Sequence, residues 1–267
     1  MKPPRFRYIA ADSLAAALAA KAEYGAEARF LAGGQSLIPA LNFRLAQPAV
    51  LIDLNPIAGL DYVRQEGALR IGALTRLRTL ERTALLSEAV RHVAHPQIRN
   101  RGTLGGNLAH ADPASELPAV MLALKARLRL QSARGERSID AKSFFTGALT
   151  TALRDDEMLV EVELPSLPLH SGMAFLEVAR RRGDYAMMGV AAVVSPTEAR
   201  LAFCNAGDTP MLVSLERTQF DDVAAQIQKA IDPPGNVHAS KAYQRHLAGV
   251  LARRALQLGL ARSKEKG

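Results

Sequence analysis

The chain has 267 residues, 48% of them hydrophobic and 22% charged. That is the balance of one to three packed units, not of a disordered chain. Lysine and arginine number 34 against 26 aspartates and glutamates, a net charge of +8. This suits a solvated basic surface, a polyanion or an acidic partner, but with no tryptophan and 5% aromatics stacking platforms for single-stranded nucleic acid are scarce.

In chain order, no apolar core of signal-peptide length opens the sequence, and no apolar run reaches bilayer length. A cytoplasmic location, without a membrane span, is the expectation. Residues 13–23, "SLAAALAAKAE", are strong helix formers with Asp12 or Ser13 as the cap. Residues 28–33 and 49–54 read as strands, a β-α-β-like opening with "AGGQS" at its middle. Residues 60–73 alternate about Gln-Glu-Gly and predict a hairpin. Residues 82–94 carry helical spacing. Residues 95–112 read as a loop, and a helix starts at Pro113 with Glu116 in its first turn. Strands are expected over 126–132, 137–140 and 158–165. Pro165 and Pro168 mark a linker. Beyond it, 173–181, 186–194 and 199–207 suggest an antiparallel sheet, followed by helices at 221–231 and 239–261 and a frayed tail.

Two stretches share a design. "AGGQS" (Ala32, Gly33, Gly34, Gln35, Ser36) and "TLGGN" (Thr103, Leu104, Gly105, Gly106, Asn107) each place adjacent glycines beside hydrogen-bonding side chains. Glycine serves where the backbone takes positive φ or nearly touches something. Successive inward N–H groups make an anion site. Either stretch alone reads most simply as a tight turn; together they suit the two ends of a diphosphate. Neither G-x-x-x-x-G-K-[ST] nor a helix-opening G-x-G-x-x-G occurs, so a P-loop and a Rossmann site are disfavoured. His92, His95 and His110 match no zinc spacing, and no metal site is expected. Asp112 and Glu116, four apart at a helix start, suit its N-terminal field. Arg99 and Arg101 flank the second stretch, either to balance phosphates or to form salt bridges. No catalytic acid–base team stands out, which suits electron transfer by a bound cofactor.

"FLAGGQSLIPALNFRLAQPAVLIDL", "QIRNRGTLGGNLAHADPASELPAVMLAL" and "EVARRRGDYAMMGVAA" resemble the FAD-binding medium subunits of molybdenum hydroxylases, the family of carbon monoxide dehydrogenase medium chains and xanthine dehydrogenase FAD domains. The resemblance implies an α+β fold. Residues 1–168 would form a PCMH-type FAD-binding domain of two α+β subdomains, about 1–54 and 55–168. Residues 169–267 would form a small C-terminal domain with an antiparallel sheet and helices. Ala32, Gly33, Gly34, Gln35 and Ser36 would wrap the FAD pyrophosphate, flanked by Leu37 and Ile38. Thr103, Gly105, Gly106 and Asn107 would face them. Glu116 would hydrogen-bond the cofactor, Leu159 would lie near the flavin or adenine, and Tyr185 near the isoalloxazine ring. Leu176 and Glu177 stand where some relatives carry a lysine near the flavin. The molybdenum cofactor would sit in a large partner subunit and the 2Fe–2S clusters in a small one. Cys204 is the only cysteine, so this chain lacks the thiolates such clusters need. Electrons would leave for NAD, a quinone or oxygen. The alternatives are a self-standing FAD oxidoreductase of the same fold and a basic nucleic-acid-binding protein.

Overall fold

The computed structural model describes residues 2–84 and 86–265. The chain opens with β1 (Arg7–Ala10), α1 (Leu14–Tyr24), β2 (Ala28–Leu31), α2 (Leu37–Asn42) and β3 (Val50–Asp53). The strands form a parallel sheet in the order β1-β3-β2. The central strand buries Val50, Leu51 and Ile52, the continuous apolar run expected of parallel strands covered by helices. Ser13 is the cap of α1, its Oγ accepting from the Ala16 N–H at 3.2 Å. The buried Lys21 ammonium closes the other end, donating to the carbonyls of Gly25 (2.6 Å) and Ala28 (2.8 Å). β1 was not expected: three of its four residues are exposed, so it carries no apolar pattern to read.

The middle of the chain holds β4 (Val63–Glu66), β5 (Ala68–Gly72), α3 (Leu77–Leu80), α4 (Ser87–Val90), α5 (Pro96–Arg101), α6 (Leu104–His110) and α7 (Glu116–Ala123). It continues with β6 (Arg127–Ser132), β7 (Gly135–Asp140), α8 (Ala141–Phe144), β8 (Phe145–Gly147), β9 (Thr150–Thr151) and β10 (Met158–Leu164). The predicted hairpin is β4–β5, turning at Gly67 with φ of 74°. It belongs to an antiparallel sheet of order β4-β5-β10-β6-β7. Two expectations need correcting here. The helical spacing of 82–94 corresponds only to the four residues of α4; Leu86, Ala89, Val90 and Val93 are buried from consecutive turns, so the spacing reported burial, not helix length. Residues 95–112 are not a loop. Pro96 opens α5 and Thr103 caps α6, and the Thr103 cap offsets the poor helix propensity of Gly105 and Gly106.

The last part contains β11 (Gly172–Ala179), β12 (Ala186–Val194), β13 (Glu198–Cys204), β14 (Met211–Glu216), α9 (Val223–Ala230) and α10 (Lys241–Glu265). The four strands form an antiparallel sheet in chain order, with α10 packed on β11 and β12. β14 was not expected. The tail expected to fray is helical through Glu265; residues 266 and 267 lie outside the described residues. Every residue of α7 is buried. It packs on β12 and β13, and Leu117, Val120 and Met121 share one core with Leu128 and Val162 of the five-stranded sheet and with Ala191, Val193 and Ala202 of the four-stranded one. A helix apolar on all sides is buried on all sides. Across the Pro165–Pro168 segment, α7 therefore joins the middle and last parts into one hydrophobic unit. Among the described residues, no helix is long and apolar enough to cross a membrane.

Candidate cofactor site

The chain leaves β2 at Leu31 and turns at once. Its two glycines are there for different reasons. A Cβ on Gly33 would lie 2.4 Å from the Arg101 carbonyl oxygen and 2.7 Å from the Gly102 Cα, so at this point two main chains touch and only hydrogen fits. Gly34 has φ of 73°, the left-handed region that side chains resist. Four of the five carbonyls of this segment are bonded: Ala32 O by Asn55 Nδ2 (2.9 Å), Gly33 O by Gln35 Nε2 (3.0 Å), Gly34 O by the Ile38 N–H (3.0 Å) and Ser36 O by the Ala40 N–H (3.2 Å). The donors are open. Among the described residues, no hydrogen bond engages the N–H of Gly33, Gly34, Gln35, Ser36 or Leu37. Five successive unpaired amides beside mostly bonded carbonyls make a donor-rich segment, suited to an oxyanion.

The second glycine pair lies against the first but is built differently. The N–H of Leu104 donates to Thr75 O (3.0 Å), that of Gly105 to Ala73 O (2.8 Å), that of Gly106 to Thr103 Oγ1 (3.1 Å) and that of Asn107 to Thr103 O (3.0 Å). These four amides are occupied within the protein. Both segments were expected to offer amides to one ligand; those of the second are bonded within the protein, and only the first has amides left unpaired. The second supplies a wall. A Cβ on Gly105 would stand 2.6 Å from that of Ala73, and one on Gly106 would stand 3.8 Å from that of Ala32. Asn107 Oδ1 accepts from Ser115 Oγ at 3.0 Å.

Arg99 and Arg101 part company. Arg99 is buried, its Nε bonded to Glu81 Oε1 (2.6 Å) and its Nη1 to the carbonyls of Val93 (2.9 Å) and Ala94 (2.7 Å); it braces α5. Arg101 is exposed, and among the described residues it forms no ion pair. Two residues that the sequence did not single out, Asn55 and Arg76, lie between the glycine segments. Arg76 Nη2 donates to Asn55 Oδ1 at 2.7 Å and Nη1 to the Arg101 carbonyl at 2.5 Å. The only local signal is that Asn55 follows β3 almost directly.

A second group gathers at the start of α7. Glu116 is 4% exposed, and burial pushes its carboxyl up to about 8, with the Glu177 and Asp112 carboxylates adding to the effect. At neutral pH it is held mainly as the uncharged acid. Asp112 lies before the helix and closes a turn instead, its Oδ1 accepting from the Ala114 N–H at 2.9 Å. Tyr185 is 64% exposed. Desolvation of its hydroxyl, with the Asp112 carboxylate and then Glu116 adding to it, pushes the phenol up to about 12. Leu159 is buried in β10 beside a bulge. The adjoining Val160 carbonyl accepts from the Ala73 N–H (3.0 Å), and Ala73 in turn accepts from Gly105, which links Leu159 to the second segment through main-chain bonds. Ile38 is partly exposed. Glu177 points inward, its Oε1 lying 3.0 Å from His92 Nδ1. An open amide run, packed beside a second glycine segment and with an uncharged carboxyl at the start of α7, fits a dinucleotide that carries a diphosphate.

The family described as "FAD binding domain in molybdopterin dehydrogenase" matches residues 4–167, and the "CO dehydrogenase flavoprotein C-terminal domain" matches residues 173–258. The chain belongs to the FAD-binding medium subunits of the molybdenum hydroxylases. It is 41% identical to the 6-hydroxypseudooxynicotine dehydrogenase complex subunit alpha of Paenarthrobacter nicotinovorans, covering 99% of this chain and 97% of that one. It is 35% identical to the carbon monoxide dehydrogenase medium chain of Hydrogenophaga pseudoflava, covering 98% and 99%. In structure it is similar to a chain of the Hydrogenophaga pseudoflava carbon monoxide dehydrogenase, with a TM-score of 0.91 at 34% identity over 98% of this chain and 99% of that one. As a member of this family the chain is a flavoprotein subunit of an oxidoreductase, and the α+β class expected from the sequence is the one observed.

Proposed function

We propose that this subunit holds FAD with its diphosphate on the open amides of the Ala32, Gly33, Gly34, Gln35 and Ser36 segment, Leu37 and Ile38 flanking it. Thr103, Gly105, Gly106 and Asn107 wall the opposite side. Glu116 presents an uncharged carboxyl able to donate a hydrogen bond to the cofactor, Leu159 lends apolar support from below, and Tyr185 screens the ring. When bound, the cofactor accepts and releases electrons, linking one-electron centres to two-electron acceptors. This chain's work is to bind, orient and shield. The electrons come from 2Fe–2S clusters in a small partner subunit that serves a large molybdenum-cofactor subunit, and they leave to NAD, a quinone or oxygen. Residues 1–168 act as the FAD-binding part and residues 169–267 as the C-terminal part, locked together through α7.

The run of five unpaired amides carries this reading, since unpaired main-chain donors are costly unless water or a ligand satisfies them. The test is purification of the full chain with whatever accompanies it, reading flavin absorbance, released FAD and partner masses together. Gly34→Val should strip the flavin, because a β-branched residue cannot hold φ of 73° without strain. Normal flavin content in that variant would defeat the assignment. Reducing the purified complex with its substrate and offering NAD, a quinone analogue and oxygen separately identifies the acceptor.

A further inference from the structure

The glycine segments belong to different parts of the chain, one following β2 and the other opening α6. Something must hold them at contact distance. One continuous hydrogen-bonded chain of side chains runs between them. The Tyr8 hydroxyl donates to Asp53 Oδ2 at 2.5 Å. Asp53 Oδ1 accepts from both the Asn55 N–H (3.0 Å) and Asn55 Nδ2 (2.5 Å). That same Nδ2 donates to the Ala32 carbonyl at 2.9 Å, and Asn55 Oδ1 accepts from Arg76 Nη2 at 2.7 Å. Arg76 Nη1 ends the chain on the Arg101 carbonyl at 2.5 Å. This is the carbonyl against which Gly33 packs. Main-chain carbonyls at both ends of the contact are therefore held by two adjoining side chains.

We infer that Asn55 and Arg76 are the positioning residues of the diphosphate cradle, a latch that fixes the first segment on the second and keeps its amides open. By occupying Ala32 O and Arg101 O, the latch turns the acceptors of the contact away from the ligand. By bonding both faces of Asn55, it fixes which way that amide points, so the Ala32 carbonyl always meets a donor. The Arg76 charge stands beside the cradle and adds to its attraction for an anion. Tyr8 and Asp53 form the outer support that orients Asn55. No latch residue needs to touch the ligand.

The inference rests on the FAD reading, and the experiment separates the two. The probes are FAD and ADP, which share the adenosine diphosphate but not the isoalloxazine ring. They are titrated against the flavin-stripped full chain, FAD by its fluorescence and ADP by competition, with the melting temperature of each stripped variant measured alongside. Asn55→Ala and Arg76→Ala should each raise both dissociation constants by about tenfold or more, the effect of losing a hydrogen bond to a charged or buried group. The double variant should lose little beyond the worse single one, because both break one chain. Arg76→Lys, which keeps the charge but cannot span both acceptors, should recover only part of the affinity that Arg76→Ala loses. Unaltered chain that binds both probes, with variants that bind them equally well, overturns the latch alone. So does a double variant whose losses simply add. Unaltered chain that binds neither probe overturns the FAD reading and the latch with it.

Discussion

Gly33→Ala isolates the contact between the two glycine segments. Gly33 does not sit at positive φ, so alanine is conformationally acceptable there and the perturbation is purely one of space. The new methyl would be 2.4 Å from the Arg101 carbonyl oxygen, where ordinary contact begins at 3.4 Å. Both neighbouring atoms belong to the main chain and cannot swing aside, so the segments must part by about an ångström, the difference between those distances. The Arg76–Arg101 carbonyl bond, now 2.5 Å, would stretch to the limit of a hydrogen bond. Losing a charged hydrogen bond costs about 1.5–3 kcal/mol, or roughly ten- to a hundredfold in FAD affinity. The stripped chain should also melt about 3–10 °C lower. Fluorescence titration with FAD and thermal unfolding of the full chain measure both. Binding within twofold of the unaltered protein, at an unchanged melting temperature, would refute the reasoning that main-chain contact sets the cradle.

Other outcomes follow from burial. Glu116 has a folded-state value near 8, above its ordinary 4.5, so the folded chain binds more protons than the unfolded one between these limits. Its contribution to stability is complete below pH 4.5 and is lost as pH rises to about 8, with a slope of at most about 1.4 kcal/mol per pH unit. Glu116→Gln should flatten that slope in urea unfolding of the flavin-free chain at pH 5.5 and 8.5; an unchanged slope assigns the pH dependence elsewhere. Met121 is fully buried in the core shared across α7. Met121→Ala should cost about 2–5 kcal/mol and shift a single cooperative transition, so two separated transitions would show that the middle and C-terminal parts do not fold as one unit.

Features with local causes were readable in the sequence. The cap of α1, the β4–β5 turn at Gly67 and the apolar strands β3, β12 and β13 depend on neighbours a few residues away, and each was expected where it occurs. The glycine pairs were legible as sites of backbone constraint. Failures came where distant contacts decide. β1 has almost no apolar signal and exists because β3 offers it a partner. Residues 95–112 look loop-like because glycines and a proline crowd there, yet Pro96 as the first residue of one helix and the Thr103 cap of the next make helices of them. Arg99 and Arg101 look alike in sequence; Glu81 and two carbonyls draw one inside and leave the other out.

By itself the sequence determined that two glycine pairs would constrain the backbone, that no thiolate set exists in this chain for a cluster, and which family's motifs it carries. Each follows from residue type and short spacing. Only the tertiary structure decided that the first pair keeps its amides open while the second gives them to Thr75, Ala73 and Thr103, and that Asn55 and Arg76 bind the two together. Whether a donor is free depends on which acceptor lies within about 3 Å of it, and that acceptor belongs to a part of the chain that only folding brings near.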